Sequence, residues 1–259
     1  MPPAFDPPAC PPELALACMD QAGVDMAIIV QHHLYGDQNA LVTGAVRRWP
    51  DRLAGFAYLG CMDQPDDPDR LERFLDGGLA GLKVELGTTR RLRPAFRFDG
   101  EIEWELWHFL ARLERPLILD INEGEPADVV ALRKVFDAFP RLRTCICHVG
   151  GAPREGWEER ALLAQHPQVY LDLASLQAPY GPEHEYPYPQ EQALIRWAAE
   201  QVGAHKLMWG TDFPGALNLS TYRQLIDVVR RHCDFLSDAD KEAVLGANLF
   251  KDLFAGIRD

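Results

Sequence analysis

The chain has 259 residues, 47% of them apolar and 25% charged, enough to bury a sizeable core and too apolar for disorder. Its net charge of -13, from 39 acidic against 26 basic residues, disfavours nucleic acid and anionic lipid as partners. No apolar run reaches the roughly 20 residues of a membrane span. The amino end MPPAFDPPACPPE lacks a secretory signal's basic start, and six cysteines without a CxxC pair fit reduced thiols. A cytoplasmic protein with a single domain over 1–259 is the expectation.

In chain order, the segment PPELALACMDQAG opens on Pro and ends at Gly23, as a helix does. The β-branched runs AIIVQ (27–31) and LAGFAYL (53–59) follow, then a second Pro-started helix, DDPDRLERFLDGG. Strands GLKVEL (81–86) and PLILDIN (116–122) lead to EPADVVALRKVFDAF, with apolar positions three and four apart. RTCICHVG (143–150) and VYLDLA (169–174) precede a long aromatic loop, QAPYGPEHEYPYPQ (177–190), suited to a lid. The helix PQEQALIRWAAEQVG and the strand LMWGTD (207–212) complete the series.

Strands alternating with helices, without hairpin turns, imply parallel pairing through helical crossovers. The strand centres recur about every 25 to 37 residues, the spacing of a (β/α)8 TIM barrel. Seven strands are legible; the first should centre near residue 2, so MPPAF either fills that slot poorly or the first strand is missing.

Alternate strand residues share a face. Ile118, Asp120 and Asn122 then lie together, as do Lys83 and Glu85, while Asp172 and Asp212 stand at strand ends. His148 shares a face with Ile146, which turns Cys145 and Cys147 towards the helices as small core residues. Carboxyl ends of barrel strands hold active sites, so these polar groups should converge on one mouth. Asp and His are metal ligands or a base with its orienting partner. Bland readings stand beside these. Lys83–Glu85 reads equally as a structural ion pair and Asp172 as a turn cap, and the adjacent His32 and His33 read as loop residues. Trp209 is expected to face the helices and Asp212 the mouth. Against LMWG the Asp212 carboxylate loses solvation unless a cation or donor compensates.

The landmarks CMDQAGVDMAIIVQ (18–31), RWPDRLAGFAYL (48–59), LAGLKVEL (79–86), CHVGG (147–151), VYLDLA (169–174), KLMWGTDFPG (206–215) and VLGANLFKDLF (244–254) carry a resemblance over essentially the whole chain. CHVGG followed by GTDFP is its most specific part. The chain resembles the amidohydrolase-related family of metal-dependent TIM-barrel hydrolases and decarboxylases, of the aminocarboxymuconate semialdehyde decarboxylase type. The resemblance implies a metallo-dependent hydrolase fold. It matches His148 to the family's sixth-strand His and Asp212 to its eighth-strand Asp. Asp120 falls where a fifth-strand His belongs, and the first-strand His-x-His pair has no counterpart. It therefore implies a divalent metal, of the zinc class, on Asp212, His148 and Asp120. Asp212 and His148 would be catalytic, and Lys83, Glu85, Asn122 and Asp172 would bind substrate. Such an enzyme would hydrolyse or decarboxylate a small carboxylated or cyclic molecule. Metal-independent lactone hydrolysis and a non-catalytic barrel are the alternatives. Edges left by a missing first strand point to a homodimer or higher homo-oligomer.

Overall fold

The computed structural model describes residues 10–64, 66–181 and 184–255. Seven parallel strands form one sheet in the order β1 to β7: Ala27–Ile29, Leu53–Tyr58, Gly81–Glu85, Leu117–Asp120, Thr144–Ile146, Val169–Asp172 and Leu207–Met208. Each lies inside a segment expected from sequence and ends before that segment does, β5 and β7 by four residues. The slot for the first barrel strand lies outside the described residues.

Helices cover one face only. Leu82, Val84, Leu119, Ile146, Leu171 and Leu207 point outward into the large core beneath those helices. The opposite face collects Ala54, Phe56, Ile118, Cys145, Tyr170 and Met208 in a second cluster, against which Ile28 packs. Residues of β1 and β7 meet there, so the sheet is curled into a TIM-barrel-like α/β wall, as the strand spacing predicts. Gly81 shows how tightly the interior is filled. A Cβ there would lie 2.0 Å from the Pro116 carbonyl oxygen and 2.8 Å from the Phe56 ring.

The helix signals behave as written. Pro12–Ala22 starts on Pro and ends at Gly23, whose φ of 69° gives the left-handed cap. Pro126–Ala138 is closed by reciprocal Glu125 and Asp128 capping bonds. Trp209 faces the helices as expected: its indole donates to Leu225 O at 3.2 Å and stands edge-on to Tyr222.

One expectation fails. Cys145 and Cys147 point into the barrel, and Ile146 faces the helices. Alternation counted back from His148 fails because His148 and Val149 have φ of 56° and 50°. The chain leaves extended geometry after Cys147, so parity does not carry through it.

The carboxyl-terminal segment closes the barrel's lower end and covers the β7 edge. Phe254 packs edge-on to Phe56, and Arg143 donates to Ala255 O at 2.6 Å. Val244 O accepts from Trp209 N at 2.9 Å, while the buried Asn248 amide donates to Leu207 O at 2.7 Å and Ala204 O at 2.9 Å. The edge that argued for self-association on this side is thus satisfied within the chain. Asn248→Ala leaves the buried Leu207 carbonyl without this donor and is expected to cost about 1–3 kcal/mol in urea unfolding. Unchanged stability would show that the edge does not need this cover.

Candidate active site

Strand register sets the site. Lys83 pairs with Ile118 and Glu85 with Asp120, while Asp172 stands level with Met208. An inward layer of Tyr58, Lys83, Ile118 and Cys145 therefore underlies a layer of Glu85, Asp120 and Asp172. Lys83 is buried, its Nζ 3.1 Å from Cys147 Sγ. Burial works against the ammonium, but the Cys147 sulfur and the Asp120 and Asp172 carboxylates outweigh it and hold its pKa above the lysine range. Burial pushes the Cys147 thiol up, so Lys83 is the charged member of that pair. Buried beneath the mouth, it balances the carboxylates above it.

His148 begins a run of four left-handed residues. Gly150 and Gly151 continue it with φ of 72° and 87°, the latter against Asn122, where a Cβ would lie 2.8 Å from Cα and Oδ1. Left-handed non-glycine residues cost energy and persist where surroundings enforce them. Here the clamp is Arg160, buried, donating to Gly150 O at 2.6 Å and Gly124 O at 2.7 Å. Asp172 Oδ1 accepts from His148 N at 3.0 Å and Ala174 N at 2.8 Å, so that carboxylate caps the turn.

His148 Nδ1 lies 2.8 Å from Ala174 O. A carbonyl only accepts, so the proton sits on Nδ1 and Nε2 faces the mouth, 3.8 Å from Asp120 Oδ2. Burial opposes the imidazolium, yet the Asp172, Asp120 and Asp212 charges raise the His148 pKa. Burial opposes the Asp120 anion as well, but Lys83 and then His148 keep its carboxyl low. Asp120 Oδ1 accepts from Asn122 N at 3.2 Å, and the buried Asn122 Oδ1 has no partner among the described residues. Asp212 has a φ of 57° and an exposed side chain, and its carboxylate accepts no hydrogen bond from the described residues. The expected desolvation against LMWG is therefore absent, because the left-handed turn lifts the residue into the mouth.

The adjacent histidines are more than loop residues. His33 Nδ1 lies 2.5 Å and His32 Nε2 3.5 Å from Glu85 Oε1, and His33 N donates to Oε2 at 3.3 Å. Thr88 Oγ1 donates to Glu85 Oε1 at 3.0 Å. Burial lowers the His32 pKa against the pull of Glu85, Asp212 and Asp120, leaving neutral imidazole, the form that ligates metals. Among the described residues these three are the group whose metal-capable atoms all lie within 4.8 Å of one another. Asp120, His148 and Asp212 do not reach that spacing. Sequence reasoning missed the cluster because it left His32 and His33 off the strand and never paired them with Glu85. Their signal was position, directly after a strand end.

The amidohydrolase family model matches residues 1–248. The chain belongs to the amidohydrolase family. That membership makes it an amidohydrolase-type enzyme, and the fold of solved relatives agrees. An amidohydrolase from Burkholderia multivorans with bound zinc matches at 16% identity and a TM-score of 0.76, covering 93% of this chain and 87% of that one. A probable 2-pyrone-4,6-dicarboxylic acid hydrolase from Acinetobacter baumannii, with citric acid bound, matches at 17% and 0.72 over 93% and 88%. A dihydroxybenzoic acid decarboxylase from Polaromonas, with manganese and 2-nitroresorcinol, matches at 17% and 0.65 over 95% and 86%. No curated protein gives a significant match. No helix among the described residues is long and apolar enough to cross a membrane.

Proposed function

We propose that this amidohydrolase hydrolyses or decarboxylates a small carboxylated or cyclic molecule in a metal-dependent reaction at the barrel mouth. The observation that supports it best is the convergence of Glu85, Asp120, His148, Asp172 and Asp212 above the buried Lys83. Four carboxylates against one ammonium leave a surplus of negative charge, which repels a carboxylated substrate until a divalent cation offsets it. The imidazole and carboxylate donors around the mouth suit such an ion, and it would polarise a substrate oxygen.

The chain's own groups handle protons. Asp212, whose carboxylate accepts no hydrogen bond from the described residues, takes the proton from the attacking water in hydrolysis. His148, oriented by Ala174 and the Asp172 cap, presents Nε2 to the reacting group, and Asp120 steadies the imidazolium. Lys83 keeps Asp120 ionised. With Lys83 buried, Arg91 is the better anchor for a substrate carboxylate. It is exposed, forms no ion pair with the described residues, and its Nη2 approaches Thr88 Oγ1 at 3.4 Å. Arg91→Ala is expected to raise KM about tenfold with kcat retained, the loss of one charge-assisted hydrogen bond. An unchanged KM would remove Arg91 from the site.

Relatives named for pyrone dicarboxylate and dihydroxybenzoate set the first substrates to try. Activity on either class, abolished by a chelator and restored by zinc or manganese, is the expected result. Turnover indifferent to chelator would favour the metal-independent lactone hydrolase, in which the raised His148 pKa supplies an imidazolium to polarise the carbonyl. No turnover on either class would leave a binding barrel. A homo-oligomer belongs to the same proposal, since Leu34 and Leu41 are exposed near the β1 end of the mouth; light scattering reads it.

A further inference from the structure

We infer that His32, His33 and Glu85 form a site for one divalent transition-metal ion of the zinc, manganese or cobalt class. The site lies around the mouth from the Asp120, His148 and Asp212 set that the family resemblance implied. The inference rests on the metal-dependent reading for the ion's use, and on geometry alone for its binding.

The donors are close to a coordination shell. Bonds of roughly 2.0–2.2 Å in a tetrahedron place ligand atoms about 3.3 Å apart. Glu85 Oε1 lies 2.5 Å from His33 Nδ1 and 3.5 Å from His32 Nε2, and the two rings stand 4.4 Å apart between centroids. Small side-chain rotations suffice. By contrast His148 and Asp120 approach only to 3.8 Å, and Asp212 does not join them.

The backbone carrying the histidines is already fixed. The buried Gln31 amide donates to Asn39 Oδ1 at 2.8 Å and Phe56 O at 2.9 Å, and Gln31 Oε1 accepts from Gln38 N at 3.0 Å. Asn39 in turn bonds both Tyr58 O and Tyr58 N. Thr88 orients Glu85 as an outer-shell hydroxyl does for a ligating carboxylate. Two local bonds change on ligation. His33, bound through Nδ1, carries its proton on Nε2, which ends the Nδ1–Oε1 hydrogen bond, and His32, bound through Nε2, carries its proton on Nδ1, which ends the 3.3 Å contact from Leu34 N.

Two histidines and one carboxylate leave further coordination positions open, as reactive sites require. Glu85 stands level with Asp120 on the neighbouring strand, so the ion would lie on the same rim as that carboxylate. There it neutralises the acidic mouth and offers a carboxylated substrate a cation, leaving Asp212 free to take a proton.

The test titrates chelator-stripped full chain with Co2+, read by visible absorption, and with Zn2+, read by thermal shift. Expected is one equivalent bound. His33→Asn and Glu85→Gln should each weaken binding at least about tenfold, while Asp212→Asn and His148→Asn change it less than about threefold. Apo melting checks each fold, and His33→Asn serves if Glu85→Gln does not fold. Weakening by Asp212→Asn or His148→Asn but not by His33→Asn overturns the site and leaves metal dependence standing. Binding that follows the prediction beside chelator-insensitive turnover keeps the site and sinks metal dependence. No Co2+ or Zn2+ binding by the wild-type chain overturns the site outright.

Discussion

Replacing Asp212 by Asn is expected to lower kcat/KM by roughly 10²–10⁴-fold, the range for loss of a general base, with the melting temperature nearly unchanged. Asn keeps the side chain's shape and tolerates the left-handed φ of 57° that Asp212 adopts. No hydrogen bond from the described residues is lost with the charge, so the fold has little reason to notice. A strand-end aspartate can instead cap a turn. The structure gives that work to Asp172, which holds His148 N and Ala174 N, and to Thr211, whose Oγ1 accepts from Phe213 N at 3.1 Å. Near-normal kcat/KM on an identified substrate would remove Asp212 from the chemistry. A variant that unfolds would make it structural after all. Asp172→Asn provides the contrast: losing an ionised cap at a left-handed turn should lower stability as well as rate.

What was legible follows the physics of each segment. All seven strands were found because parallel strands buried on both faces read as continuous apolar runs. LILD and VYLD carry Asp120 and Asp172 at their carboxyl ends in plain alternation, so the face of each is legible. Alternation failed at CHVGG, where four left-handed residues break the period, and Cys145 and Cys147 were assigned the wrong face. It was also silent on His32 and His33, which follow β1 as it turns into a loop. Their meeting with Glu85 is a tertiary fact, fixed by Gln31 and Asn39 gripping β2. Lys83 lies on the inward face with Glu85, as alternation expects, while its burial has no signal in the sequence, because alternation says nothing about how far below the rim a residue sits. The tail's role at the β7 edge had no local signal, since Asn248 acts through an amide reaching a strand 41 residues away.

The second large effect concerns stability and pH. Glu191 lies in the first turn of the helix Pro189–Val202, 4% exposed, and its Oε2 has no hydrogen-bond partner among the described residues. Burial pushes its pKa from 4.5 up to about 8. A carboxylate at a helix N-terminus gains only about 0.3–1 kcal/mol from the backbone dipole, too little to offset that desolvation. Glu191 is therefore protonated in the folded protein at neutral pH and ionised in the unfolded chain. The native state holds the extra proton between pH 4.5 and about 8, so stability falls as pH rises through that window. The full loss is reached above pH 8. At 1.36 kcal/mol per pH unit it is on the order of 5 kcal/mol. Glu191→Gln keeps the volume and never ionises. Urea unfolding at pH 5 should then show the two proteins nearly equal, while at pH 8.5 the variant should be more stable by several kcal/mol. Comparing the two proteins cancels other groups that titrate in the same range. If the variant's advantage did not grow with pH, Glu191 would already be ionised in the fold, held by a cation or water that compensates its burial.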